Sequence, residues 1–127
     1  MDAKEQRKAE VLAKLRASRP DGHVPAQWQY VAGIDPDYLE ASNQTYVHLM
    51  TGDGALPLKF KEMIVACLLA ARSYGERVPL HVERAMNAGA SEAEILEAFE
   101  VAGILSGAPT VLIGVEALAA VAARRKG

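Results

Sequence analysis

A histidine and a carboxylate in the second half of the chain are the leading candidates for acid–base chemistry. His81 can take up or release a proton near neutral pH, and Glu62 could orient its ring or stabilise its charge. Arg77 can hold a carboxylate through two parallel hydrogen bonds, and Tyr74 can donate a proton or bind an oxyanion. Arg84 follows His81 by three residues, so it either shares that helix face or lies at the surface.

The same residues also have purely structural interpretations. His81 stands between two apolar residues, a setting that is typical of a structural histidine. Glu62, near the start of its helix, could simply complement the helix dipole, and Tyr74 and Arg77 could be solvent-exposed loop residues. Glu62 and His81 are 19 residues apart on consecutive helices. They meet only if the connection folds back, if the first helix bends, or if another subunit supplies the partner.

Other chemical motifs are absent from the sequence. It contains no glycine-rich phosphate loop, no cysteine pair, no His-x-x-x-His motif and no serine nucleophile elbow. We therefore expect no metal and no other cofactor. His23 and His48 have no partner at metal-ligand spacing. Cys67 lies within an apolar run and is expected to be a small buried hydrophobe.

Length and composition indicate a small globular protein. The 127 residues, 50% hydrophobic and 24% charged, fit a single domain spanning 1–127. A net charge of −2 argues against nucleic acid or an anionic membrane as a partner. A single cysteine and a charged N-terminus without an apolar signal core favour a cytoplasmic location. Residues 101–123 are apolar, but Gly107 and Pro109 interrupt them, which favours two buried helices over a membrane span.

Hydrophobic spacing and capping signals predict about six to seven helices, and no alternation predicts a strand. Asp35-Pro36 is a good helix start, and Ser91 with Glu94 forms a capping box. Residues 63–71 are apolar on every side, which predicts a helix that is buried all round. The expected helices span 3–17, 25–31, 36–50, 56–73, 79–88, 92–106 and 109–125.

The last helices carry more apolar surface than a small monomer is expected to bury. Residues 110–121 have large aliphatic side chains around the whole circumference. Either a second copy of the chain covers part of this surface, or the last helix is the central helix of the core.

Three segments together resemble the carboxymuconolactone decarboxylase and alkylhydroperoxidase D family. They are the helix start Leu56–Ile64, the histidine-containing segment Pro79–Ile95 and the Gly107–Pro109 break before the last helix. The similarity covers residues 56–120, and residues 1–55 would be variable N-terminal helices. The resemblance implies an alkylhydroperoxidase D-like helical bundle that forms a homo-oligomer, either a trimer or a trimer-built hexamer.

The sequence departs from the alkylhydroperoxidase D branch at two positions. That branch resembles this chain at Glu62 and His81 but also carries a Cys-x-x-Cys pair, and the corresponding positions here are Tyr74 and Arg77. Thiol–disulfide chemistry needs an attacking thiolate and a resolving thiol. We therefore do not expect peroxidase or disulfide reductase activity.

The resemblance to the decarboxylase branch implies a cofactor-independent lyase acting on a small carboxylated cyclic or lactone-like substrate. His81 would exchange the proton, Glu62 would orient it, Arg77 and Arg84 would bind the substrate, and Tyr74 would assist. An acid–base isomerase or hydrolase on the same scaffold is the first alternative. A non-catalytic member that binds a small molecule or serves as a scaffold is the second.

Overall fold

The computed structural model describes residues 2–127, which form seven α-helices and no β-strand. The all-α prediction is therefore confirmed. None of these helices combines the length and the apolar character needed to cross a membrane. The helices form two compact units, one ending at Gly52 and one spanning Asp53–Gly127. They are α1 (Ala3–Ala17), α2 (Ala26–Ile34), α3 (Pro36–Met50), α4 (Leu58–Ala71), α5 (Val78–Asn87), α6 (Glu92–Ser106) and α7 (Ala108–Lys126).

The N-terminal unit packs α1, α2 and α3 around a small aliphatic core. Val11, Leu12 and Leu15 form the buried stripe of α1, as their spacing predicts, and they meet Leu39 of α3. The Asp35 side chain caps α3 by accepting a hydrogen bond from the backbone N–H of Tyr38 at 3.1 Å. This confirms the helix start expected from Asp35-Pro36.

Ion pairs on the surface of this unit join α1 to α3. The Arg7 guanidinium donates to Asp37 at 2.8 Å and also to Glu40, which accepts a further bond from Lys14. Lys14 and Arg7 hold the pKa of the Glu40 carboxyl below its usual value. Because these ion pairs lie at the surface and all four side chains remain at least partly exposed, they contribute little to stability.

The C-terminal unit contains the larger core, to which α4, α5, α6 and α7 all contribute. Phe99 and Ile95 of α6 are fully buried against Val82 of α5 and Val121 of α7. The capping box is present: Ser91 Oγ accepts from the Glu94 backbone N–H, and the Glu94 carboxylate accepts from the Ser91 N–H. Sequence and structure therefore agree on where α6 begins.

Two glycines set the close packing of α6 on α7. A Cβ atom on Gly114 would lie 2.4 Å from Cγ of Phe99, and one on Gly103 would lie 2.5 Å from Cγ2 of Val111. No real Cβ approaches another atom that closely. The two helices therefore pack closely against each other. The chain turns from α6 to α7 at Gly107, whose φ of 95° is readily adopted only by glycine.

The structure corrects the expectation that α4 is buried on all sides. One face of α4 packs on α5, α6 and α7, but Ile64 and Leu68 on another face are about half exposed. The last helix is not enclosed either, since Leu112 is largely exposed. An apolar circumference predicts burial only if neighbouring elements surround the helix, and this unit has too few helices to do so.

Candidate active site

A helical hairpin brings Glu62 and His81 together. The chain leaves α4 through Ser73, which has a positive φ of 63°, and passes through a single 3-10 turn, Gly75–Arg77, into α5. Pro79 lies in the first turn of α5, where its missing N–H costs no hydrogen bond. The connection therefore folds back, which is one of the three arrangements that the sequence left open.

The two side chains form a buried hydrogen bond. Nδ1 of His81 lies 2.8 Å from Oε1 of Glu62, and the residues are only 7% and 1% exposed. An ionised carboxylate can only accept a hydrogen bond. With Glu62 ionised, Nδ1–H donates a hydrogen bond to its carboxylate, which leaves Nε2 as the nitrogen that can exchange a proton with another molecule. A carboxylate that fixes the imidazole orientation in this way is a recurrent arrangement in acid–base sites.

Arg84 is also buried. The sequence left two placements open for it, the helix face of His81 or the surface. It lies three residues after His81 on α5 and is only 6% exposed. Residues three apart are neighbours on a helix surface. Burial of a guanidinium is costly unless polar groups surround it. The hairpin of α4 and α5 contributes three of the buried polar residues, namely Glu62, His81 and Arg84.

Tyr74 and Arg77 lie at the surface of the connection between α4 and α5. The Tyr74 side chain is about half exposed, and its backbone N–H donates to the carbonyl of Leu69 at 2.9 Å. Arg77 is exposed and immediately precedes α5, four residues before His81. Because Arg77 ends the 3-10 turn and lies outside α5, the helical spacing rule does not place it on the His81 face. The structure does not enclose either side chain with the buried pair.

Cys67 lies away from this hairpin interface, in an open apolar groove between α4 and α6. The thiol is partly buried, and this burial raises its pKa. Desolvation disfavours the thiolate, which is the reactive form. This environment agrees with the prediction of a small apolar residue, although its burial is incomplete.

Further ion pairs tie α5 to the end of α7. One guanidinium nitrogen of Arg125 donates to Glu83 at 2.8 Å and to Asn87 at 2.9 Å. Glu83 and Asn87 are four residues apart and therefore share a face of α5. The helix that carries His81 is thus held by α4 on one side and by α7 on another. The contacting residues are 42 and 38 positions apart, so the sequence alone gave no signal for this contact.

Among residues 2–127, no three histidine, cysteine, aspartate or glutamate side chains gather in a group that could hold a metal ion. Glu62 and His81 together provide one carboxylate and one imidazole, fewer protein ligands than the three of a catalytic zinc site. The chemistry that the described arrangement offers directly is proton transfer at Nε2 of His81.

Comparisons with known proteins point to one family. A model of the carboxymuconolactone decarboxylase family matches residues 36–123, which include Glu62 and His81. A search of curated proteins gave no match.

A solved structure has the same fold. It is a crystal structure from Burkholderia xenovorans LB400, provisionally described as a carboxymuconolactone decarboxylase, with a TM-score of 0.80 and 23% sequence identity. The match covers 98% of this chain and 95% of that one. At this identity the likeness shows a shared architecture, and the expected helical bundle is confirmed.

Proposed function

Because this chain belongs to the carboxymuconolactone decarboxylase family, we propose that it is a lyase that decarboxylates a small carboxylated cyclic or lactone-like compound. The observation that carries the proposal is the buried hydrogen bond between Nδ1 of His81 and the Glu62 carboxylate. This pair supplies a proton-transfer group that is sheltered from bulk water and held in one orientation. The proposed reaction uses no metal or nucleotide, and the protein would act as a cytoplasmic homo-oligomer, a trimer or a hexamer.

The proposed reaction needs one electron sink and one acid. The bond between the substrate ring and its carboxylate breaks, and the electron pair passes into a conjugated carbonyl of the substrate to give an enolate and carbon dioxide. Nε2–H of the His81 imidazolium then protonates the ring carbon. Water returns the proton to His81, so that each turnover consumes one proton. Glu62 stabilises the imidazolium through Nδ1 and keeps Nε2 directed at the substrate.

Two cationic side chains would hold the substrate. Arg84 is buried beside His81, so a carboxylate or enolate oxygen bound there would be desolvated and strongly held. Arg77, in the connection before α5, would meet an anionic substrate at the surface, and Tyr74 would donate a hydrogen bond to the developing oxyanion. Substitution Arg84→Gln should therefore weaken substrate binding and turnover more than Arg77→Gln, because only Arg84 is buried.

The test is carbon dioxide release from a panel of carboxylated lactones, with wild-type protein and two histidine variants. Variant His81→Gln should remain folded and lose about 10²–10⁴-fold in turnover, the usual contribution of a general acid. His48→Gln is the matched control, since His48 is an exposed histidine on α3, and it should retain full turnover. Full activity in His81→Gln would reject the assignment.

The same panel separates the alternatives. Conversion of a lactone without carbon dioxide release, lost in His81→Gln, would identify an isomerase or hydrolase that uses the same pair. Binding of small carboxylates in a thermal-shift assay, with no conversion of any compound, would identify a non-catalytic binding protein.

A further inference from the structure

The helix that carries His81 has a second polar attachment, which the proposed reaction does not use. Nη1 of Arg125 donates to Oε1 of Glu83 at 2.8 Å and to Oδ1 of Asn87 at 2.9 Å. Glu83 and Asn87 are one helical turn apart, so a single side chain near the end of α7 spans one turn of α5. We call Arg125, Glu83 and Asn87 the α5–α7 clasp.

Helix geometry places the clasp nearly opposite the imidazole. Successive residues of an α-helix are rotated by about 100° around its axis. Glu83 follows His81 by two residues, so its side chain leaves α5 about 200° around the axis from the imidazole. Glu62 therefore holds α5 on one side through His81, and Arg125 holds it on the other.

The Glu83 carboxylate is more enclosed than a typical surface carboxylate. Its Oε2 atom is buried and has no hydrogen-bond partner among residues 2–127, and Nη2 of Arg124 lies 3.8 Å away. An ionised oxygen that is withdrawn from water without a hydrogen bond depends on opposite charge nearby. Without the Arg125 guanidinium, the Glu83 side chain should therefore turn out to water, and the clasp would open.

We propose that Arg125 is a positioning residue for His81, because the α5–α7 clasp fixes the rotation of α5 about its own axis. Val78, Val82 and Ala85 also hold this helix, since all three are fully buried. Apolar contacts are non-directional, whereas the two hydrogen bonds of Arg125 hold one turn of α5 at a defined angle. The proposal deepens the site described above and rests on the proposed acid–base role of His81.

A small rotation of α5 would be enough to break the hydrogen bond at the site. Nδ1 of His81 lies 2.8 Å from Oε1 of Glu62, and beyond about 3.5 Å such a contact is no longer a hydrogen bond. Side-chain groups lie about 5–6 Å from the axis of an α-helix, so a rotation of about 10° moves one by about 1 Å. A misplacement of about 1 Å can lower a reaction rate on the order of 100-fold. Control of this rotation is therefore control of the proposed turnover.

Two variants in the last turn of α7 test the clasp by nitrogen-15 NMR of the His81 ring. Arg125→Gln removes the guanidinium, and the weakened bond to Glu62 should raise the fraction of the Nε2–H tautomer. Lys126→Gln is the matched control, since it removes the same charge from the same turn, but Lys126 pairs with Glu92 of α6 at 3.8 Å. Its His81 spectrum should match wild type. Both positions are exposed, so both variants should keep the wild-type circular dichroism spectrum.

Turnover provides the second readout. Arg125→Gln should lower kcat about 10-fold and change KM by less than about 2-fold, because the clasp positions His81 and does not touch the substrate. Arg125→Lys keeps the charge and should recover part of the lost kcat. Glu83→Gln opens the clasp from the α5 side, so the double variant with Arg125→Gln should lose no more than Arg125→Gln alone.

Two results would overturn the proposal. One is a wild-type His81 spectrum in Arg125→Gln, which would show that the apolar contacts alone orient α5. The other is an equal spectral change in Lys126→Gln, which would assign the effect to the charge at the end of α7. The NMR measurement needs no turnover. If no compound releases carbon dioxide, the proposed reaction fails, and the His81 spectrum still decides whether the clasp positions the ring.

Discussion

Substitution Gly114→Ala should destabilise the protein through one clash in the core. The added Cβ would lie 2.4–2.6 Å from three ring atoms of Phe99. Neither side has room to move, because Phe99 is fully buried and Gly114 is buried within α7. Overpacking of a well-filled core costs about 1–3 kcal/mol, and contact with a rigid aromatic ring places this case at the upper end of that range.

The higher helix propensity of alanine offsets part of that cost. Replacing glycine by alanine within a helix contributes about 1 kcal/mol. The net loss for Gly114→Ala is therefore about 2 kcal/mol, which for a chain of this length lowers the Tm by roughly 5–10 °C. Urea denaturation followed by circular dichroism measures the free energy, and a thermal scan measures the Tm.

Gly33→Ala is the matched control. Gly33 also lies inside a helix, α2, but a Cβ there would meet only the end of the Lys8 side chain, at 4.0 Å. This variant should gain up to about 1 kcal/mol from helix propensity alone. The two glycine variants should therefore change stability in opposite directions.

A double-mutant cycle locates the clash. Phe99→Leu should cost at least about 1 kcal/mol less in the Gly114→Ala background than in wild type, because the smaller side chain gives the new methyl group room. A Gly114→Ala protein at least as stable as wild type, or additive effects in the cycle, would refute the packing argument.

Three further predictions concern the α6 start and the thiol. Ser91→Ala removes the acceptor of the capping box and should cost about 0.5–2 kcal/mol in urea denaturation; an unchanged midpoint would contradict the capping role. The Ser91 backbone N–H and Lys59 lower the pKa of Glu94 in the folded protein. The Glu94 carboxylate therefore stabilises the fold at pH values above its ordinary pKa of 4.5. This stabilisation is lost as the pH falls through the lower pKa of the folded state. Between neutral and acidic pH, the free energy of unfolding of Glu94→Gln should therefore fall by less than that of wild type. An equal fall in both proteins would show that the carboxylate plays no part. Since burial raises the pKa of Cys67, iodoacetamide should label the native thiol more slowly than the denatured one at neutral pH, and equal rates would contradict its partial burial.

Helix starts were the most predictable part of the fold, because their signals are local. Asp35 caps α3 and Ser91 caps α6, as their neighbouring residues indicate. Capping depends on a side chain and a backbone N–H two or three residues away. Such contacts form whatever the remaining chain does, so the sequence is sufficient to find them.

Side-chain exposure was less predictable, because it depends on which face of a helix meets a neighbour. The apolar run of α4 suggested burial on all sides, yet Ile64 and Leu68 are exposed. For Arg84 the sequence left two placements open, the His81 face or the surface, and only the structure shows that the residue is buried. Periodicity identifies a helix and its apolar residues, but the packing of other elements determines what is covered.

The candidate site was only partly predictable from the sequence. The residue types and the family resemblance selected Glu62 and His81, but their contact depends on the hairpin between α4 and α5. The short connection with a 3-10 turn gave no strong sequence signal for the direction in which the chain turns. The contact could therefore be identified only from coordinates.

The central claim is that Glu62 holds the His81 imidazole with a proton on Nδ1 and leaves Nε2 free for the substrate. Nitrogen-15 NMR of imidazole-labelled protein reports which nitrogen of the neutral ring carries the proton. The Nδ1–H tautomer should dominate for His81 in wild type and should give way to the Nε2–H form in Glu62→Ala. A wild-type ring protonated on Nε2, or a tautomer unaffected by loss of the carboxylate, would contradict the account.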